Sequence, residues 1–126
     1  MAKTILVLED DEDIRNIIRF ILEEEGYNVF GCNCELYGLD AYAPDLILLD
    51  EWINQQEAHM LCKEIKILEN LAAVPVIIFS TALAIEEIAA TCKADGFIRK
   101  PFDLDVLLAE IRKFLPLGSL ANSPGA

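Results

Sequence analysis

The 126-residue sequence predicts an α/β fold: a doubly wound, five-stranded parallel sheet of strand order 2-1-3-4-5, with five helices on its two faces. Three observations carry that expectation. Short aliphatic runs alternate with segments of helical period, the connections between them are short, and runs such as Leu46-Ile47-Leu48-Leu49 read as parallel strands buried on both faces. Right-handed crossovers then fix the topology.

The elements follow in order. Ile5 to Leu8 forms the first strand, and the acidic run Glu9-Asp10-Asp11-Glu12-Asp13 follows it at once. From Asp11 the period becomes helical, with Ile14, Ile17, Ile18 and Ile21 on one face and Gly26 placed to end the helix. Tyr27 to Gly31 reads as the second strand, and Glu35 to Tyr42 has room for about two turns of a short second helix. Pro44-Asp45 breaks the chain before the third strand, Leu46 to Asp50. Ala58, Leu61, Ile65 and Leu68 mark the third helix, and Pro75 opens the fourth strand, Val76 to Phe79, which runs into Ser80-Thr81. Ile85, Ile88, Ala89 and Cys92 give the fourth helix, and Phe97-Ile98-Arg99 is a brief fifth strand stopping at Lys100-Pro101. Asp103 is a suitable N-cap for the fifth helix, whose apolar face is Leu104, Leu107, Leu108, Ile111 and Leu115 before Pro116. Residues 1–116 are expected to be one domain, and residues 117–126, rich in Gly, Ser, Pro and Asn, a flexible tail.

Composition narrows the function. With 54% hydrophobic residues the chain can bury roughly two-thirds of its unfolded surface as a single core. No apolar run approaches a bilayer span and no signal-peptide segment precedes the first strand, so the expectation is a soluble, cytoplasmic protein without a membrane partner. A net charge of −12 with no Lys/Arg cluster argues against nucleic acid and leaves proteins, cations or small ligands as partners. The four cysteines are expected to be free thiols.

In this topology every strand ends on one edge. The first delivers Glu9 and Asp10, the third Asp50, the fourth Ser80, and the fifth Lys100. Two carboxylates about 4 Å apart repel by roughly 4 kcal/mol at an effective dielectric of 20, so three of them call for more than one lysine. A hard divalent cation is the economical answer, and Mg²⁺ suits carboxylates, waters and phosphate oxygens. A carboxylate so held, with a lysine and a hydroxyl beside it, is equipped to attack a phosphoryl group. Taken singly, the pieces are ordinary: acids cap helices, Lys-Pro is a common loop dipeptide, and Ser-Thr ends strands. Their joint arrival at one edge is what favours chemistry.

At these residues the chain resembles the receiver domain of two-component response regulators from Lys3 to about Leu115. The resemblance rests on four motifs in order: Ile5-Leu6-Val7-Leu8-Glu9-Asp10-Asp11, Pro44-Asp45-Leu46-Ile47-Leu48-Leu49-Asp50, Pro75-Val76-Ile77-Ile78-Phe79-Ser80, and Ala94-Asp95-Gly96-Phe97-Ile98-Arg99-Lys100-Pro101-Phe102. It implies that Asp50 accepts a phosphoryl group from a phosphohistidine on a histidine kinase or histidine phosphotransfer protein. It further implies that Glu9, Asp10, Asp50 and the backbone carbonyl of Trp52 hold Mg²⁺, and that Ser80 and Lys100 bind the phosphoryl oxygens. Phe97 occupies the family's aromatic switch position, turning inward as Ser80 moves. The Lys100-Pro101 bond is expected to be cis. Asp11 then begins the first helix. The fourth helix, fifth strand and fifth helix form the family's output surface, where Leu83, Ala84, Ile85, Ala89 and Ala90 suit a downstream protein or a second copy of the chain, or are simply helix formers.

The chain also departs from the family. Asp50-Glu51-Trp52-Ile53-Asn54 lacks the usual proline, and Ala58 stands near the place of a glycine, so the loop from Glu51 to Ala58 is expected to differ in shape. Trp52 and Thr81 flank the path of an attacking water and are expected to prolong the phosphoryl lifetime. Trp52 is also a candidate aromatic anchor for a partner. A pseudo-receiver, acting by protein contact without phosphorylation, is the alternative. A flavodoxin-like FMN protein would need a Ser/Thr/Gly phosphate loop where Glu9-Asp10-Asp11 stands, and a haloacid-dehalogenase-like phosphatase a second acid where Trp52 stands. Cys32, Cys34, His59 and Cys62 could supply soft zinc ligands, but their spacing is not the tight pairing of tetrahedral sites.

Overall fold

The computed structural model of the protein describes residues 2–9, 11–32, 42–50, 52–53, 56–80, 84–100 and 103–116. Five parallel strands form the main sheet: β1 (Thr4–Leu8), β2 (Asn28–Cys32), β3 (Leu46–Asp50), β6 (Val76–Ser80) and β7 (Gly96–Arg99). Their spatial order is β2-β1-β3-β6-β7, the doubly wound 2-1-3-4-5 order that the sequence predicts. Helices α1 (Glu12–Glu24), α2 (Ala58–Ile67), α3 (Ile85–Thr91) and α4 (Leu104–Phe114) cover it. The short helix expected from Glu35 to Tyr42 lies, except for Tyr42, outside the described residues, as do the Pro101 peptide and the tail from residue 117.

Strand alternation splits the core in two. Ile5, Val7, Leu46, Leu48, Ile77 and Phe79 pack with Ile18 and Leu22 of α1 and with Leu107, Leu108 and Ile111 of α4. Leu6, Leu8, Ile47, Leu49, Val76 and Ile78 pack on the other face with Cys62 and Ile65 of α2 and with Ile85 of α3. Residues 5–8 and 46–49 are fully buried, and truncating one of their side chains to alanine would cost about 2–5 kcal/mol.

Local chemistry sets the helix ends. Asp11 caps α1, its Oδ1 accepting from the Asp13 and Ile14 amides at 2.9 and 3.1 Å. Gly26 follows the helix with φ +97°, a left-handed conformation that lets the Gly26 and Tyr27 amides return to the Glu23 and Leu22 carbonyls. Asp103 caps α4 by accepting from the Val106 amide at 2.9 Å.

The apolar faces expected for α1 and α4 need correction. Ile14 and Ile17 are 39% and 59% exposed, so the buried stripe of α1 is carried by Ile18 and Leu22, with Ile21 partly covered; Leu104 likewise stands exposed at the start of α4. Between Asp50 and α2 the chain forms a short antiparallel ribbon, β4 (Trp52–Ile53) with β5 (Gln56–Glu57), pairing Trp52 with Glu57 and Ile53 with Gln56.

Candidate functional site

Parallel pairing brings the strand ends to one edge in fixed register. Leu8 lies opposite Leu49, Asp50 opposite Phe79, and Ser80 opposite Arg99, so Glu9 follows β1 beside the end of β3 and Lys100 follows β7 beside the end of β6. The Lys100 amide extends the ladder by donating to the Ser80 carbonyl at 2.9 Å.

Glu9, Asp50 and Ser80 are the three buried polar or charged residues among those described. Burying such groups is unfavourable unless they are partnered, and their concentration at one edge is itself the mark of a site. The Lys100 ammonium donates to Asp50 Oδ1 at 2.5 Å and lies 4.9 Å from the centroid of the Phe79 ring. Glu9 shares a hydrogen bond with Asp50. Burial, then that hydrogen bond and the Asp50 charge, push the Glu9 carboxyl up to about 8 against the opposing pull of Lys100. Glu9 is thus protonated over much of the range in which an ordinary carboxylate is charged.

Among the other expected residues, Asp11 is used as the α1 cap, in keeping with its expected place at the helix start. Phe97 is partly buried against the core on the α2–α3 face, with the Arg99 guanidinium 5.7 Å from its ring centroid. Trp52 follows Asp50 by two residues, in β4. Asp10 and Thr81 lie outside the described residues. Of the zinc candidates, Cys62 is a core residue whose thiol donates to the Cys92 carbonyl at 3.5 Å, and among the described residues no cluster of three or more His, Cys, Asp or Glu side chains could hold a metal. The carboxylates of Glu9 and Asp50 form a pair of hard oxygen donors, and they fit a hard divalent ion better than a soft one.

Arg15 carries no functional signal in the sequence, because nothing in helical periodicity shows a side chain reaching back past its own N-terminus. Its Nη1 donates to the Glu9 backbone carbonyl at 2.8 Å. Away from this edge, a groove of about 460 Å³ between α3 and α4 is lined by Ala89, Ala90 and Phe97 together with Glu86, Glu110 and Lys113. Among the described residues no helix is long and apolar enough to cross a membrane.

The chain resembles known proteins in sequence and in fold. The chain is 32% identical over 127 residues to the transcriptional regulatory protein CseB of Streptomyces avermitilis, covering 97% of this chain and 53% of CseB. It is 30% identical over 123 residues to sporulation initiation phosphotransferase F of Bacillus subtilis, covering 94% of this chain and 98% of the phosphotransferase. The chain thus spans about half the length of the first relative and nearly all of the second. In solved structures, the chemotaxis protein CheY4 of Vibrio cholerae superposes with a TM-score of 0.82 at 19% identity, covering 90% of this chain and 99% of that one. The receiver domain of the sensor histidine kinase PA1611 from Pseudomonas aeruginosa, solved with magnesium coordinated in its active-site cleft, gives a TM-score of 0.77 at 21% identity, covering 91% and 98%. The model of the response regulator receiver domain matches residues 5–112, and the chain belongs to that family.

Proposed function

We propose that the protein is a phospho-accepting receiver of a two-component relay, with Asp50 as the acceptor. The observation that carries this reading is the burial of Glu9 and Asp50 side by side with the Lys100 ammonium on Asp50. An Asp50 oxygen attacks the phosphorus of a phosphohistidine; the N–P bond breaks, its electron pair stays on the imidazole nitrogen, and an acyl phosphate forms. Lys100 and Ser80 bind the phosphoryl oxygens, so Lys100 exchanges its bond to the Asp50 carboxylate for one to the phosphoryl group. Glu9, Asp10, Asp50 and the backbone carbonyl of Trp52 are the proposed Mg²⁺ ligands, and Glu9 gives up its proton when they are occupied. The ion, when bound, supplies positive charge to the phosphoryl oxygens. The protein is a substrate of its kinase rather than a catalyst of turnover, apart from slow loss of its own phosphoryl group.

Partners follow from the surface. The exposed Ile14, Ile17 and Phe20 stand three residues apart on α1, the helix that follows Glu9, and suit a helix of a histidine kinase or histidine phosphotransfer protein that must bring its phosphohistidine to this edge. The α3–β7–α4 face, with Phe97 as switch and Thr81 beside the phosphoryl site, is the proposed output surface for a downstream protein, a second copy of the chain being the other occupant. Residues 1–116 are the proposed receiver, in a cytoplasmic protein that touches neither nucleic acid nor membrane.

Incubation with acetyl phosphate and Mg²⁺ followed by peptide mass spectrometry tests the reading: one phosphoryl adduct on Asp50 is expected. The β4–β5 ribbon, which takes the place of the proline-bearing loop, favours the pseudo-receiver as the second reading. The same experiment separates the two, since absence of an adduct leaves only the pseudo-receiver.

A further inference from the structure

We infer that Arg15 and Gly31 form an interlock that positions the metal-binding end of β1. Three observations support it. Among the described residues the ladder of β1 ends at Leu8, paired with Cys32 on one side and Leu49 on the other, so the Glu9 carbonyl lies past it and takes its donor from elsewhere. Arg15 is that donor, its Nη1 at 2.8 Å. To reach it, the Arg15 stem crosses the edge strand over Gly31: a Cβ built on Gly31 would stand 2.6 Å from Arg15 Cγ, 2.7 Å from Cδ and 3.3 Å from Nε. No real side chain tolerates such distances, and two of these atoms are near the root of the stem, where swinging aside takes the guanidinium with them. Gly31 is thus the lane through which Arg15 reaches β1.

The peptide held this way joins Glu9 to Asp10, the two acids that enter the proposed metal set from β1. Arg15 touches neither phosphoryl group nor ion; it is a positioning residue, comparable to the outer-shell groups whose loss weakens metal affinity by about 10–100-fold. The inference rests on the proposed reading of Glu9, Asp10 and Asp50 as Mg²⁺ ligands, and it adds a residue on α1 and one on β2 to the machinery.

Two substitutions approach the interlock from opposite sides. Arg15→Met keeps the stem and removes the donor; Gly31→Ala keeps the donor and displaces the stem, with no change of charge. Mg²⁺ titrations followed by tryptophan fluorescence, together with the backbone ¹⁵N resonance of Asp10, which reports on its shared peptide with Glu9, read both. Each variant is expected to weaken Mg²⁺ binding about 10-fold and to shift the Asp10 resonance in the same direction. The double variant should be no weaker than the weaker single one, because either change breaks the same contact. Arg15→Lys should recover part of the affinity, and acetyl-phosphate labelling of the variants should return to the wild-type rate at saturating Mg²⁺.

Additive losses, or an Arg15→Met protein that binds Mg²⁺ within twofold of wild type, would overturn the interlock. If Gly31→Ala does not fold, the Arg15→Met loss and the Arg15→Lys recovery decide alone, and an Arg15→Lys protein as weak as Arg15→Met counts against it. Wild-type protein that binds no Mg²⁺ removes the proposed function as well; wild-type binding with an unaffected Arg15→Met removes only this inference.

Discussion

The sheet carries an aspartate–lysine pair at each end, and the two do different things. At the N-terminal edge, Asp95 Oδ2 receives the Lys66 ammonium at 2.7 Å and the Val76 amide at 2.8 Å, while Lys66 also donates to the Val74 carbonyl at 2.8 Å. Asp45 behaves likewise, accepting from the Thr4 amide at 2.8 Å. These carboxylates satisfy the first amide of a neighbouring strand, and the arrangement is complete. At the C-terminal edge, strand ends present carbonyls rather than amides, and among the described residues Asp50 and Glu9 meet each other and Lys100 instead. The lesson is that an ion pair becomes chemical when a third group leaves it with more acid than its partners can neutralise.

Substitutions at the two ends sharpen this contrast. The largest effect is expected at the acceptor: Asp50→Asn should give no phosphoryl adduct at all, whereas Asp95→Ala should be labelled at the wild-type rate while losing about 1–3 kcal/mol in denaturant melts, from the orphaned Val76 amide. Equal labelling of Asp50→Asn and wild type would end the assignment of Asp50. The lysines come next. Lys100→Met should slow labelling about 10²-fold or more, the scale for losing a donor to developing phosphoryl charge, and Lys66→Met should leave the rate alone.

A smaller effect is pH dependence confined to the C-terminal edge. The Glu9 carboxyl is raised from 4.5 to about 8, so between those values the folded state binds more protons than the unfolded one, and stability falls as pH rises through that window. The melting temperature of the Mg²⁺-free protein should therefore drop from pH 5 to pH 8, and Glu9→Gln should flatten the profile. Mg²⁺ must displace the same proton, so its affinity should climb by up to about tenfold per pH unit below 8 in calorimetric titrations. A wild-type profile identical to that of Glu9→Gln would show that the pair does not share a proton. The smallest expected change is at the ribbon: Trp52→Ala should lose its phosphoryl group several-fold faster if the indole screens the attacking water, and an unchanged lifetime removes Trp52 from that role.

Much of this was legible in the sequence because strands carry their own punctuation. Five aliphatic runs gave the sheet, and the rule that parallel strands end together predicted one edge for Glu9, Asp10, Asp50, Ser80 and Lys100, of which Asp10 lies outside the described residues. Other features were not legible, for separate physical reasons. Helix α1 has more isoleucines than its buried seam requires, so periodicity alone could not tell that Ile18 is covered and Ile17 is bare. The β4–β5 ribbon has two residues per strand, too few to show a period, and the Asn54-Gln55 link between them lacks the glycine that usually announces a tight hairpin. The Arg15 contact joins a helix, a strand end and an edge glycine, a relation that exists only once the chain has folded.

The thiols on the α2–α3 face carry one more consequence. Cys62 and Cys92 are buried, and burial together with its hydrogen bond to Cys92 drives the Cys62 thiol well above its usual range. Neither can meet an alkylating reagent while that layer stays closed. The rate at which iodoacetamide marks these two positions, resolved by peptide mass, is thus an internal clock for the opening of the layer against which Phe97 packs. It would show whether phosphorylation at the far edge loosens or tightens that layer, without placing any foreign probe on the protein.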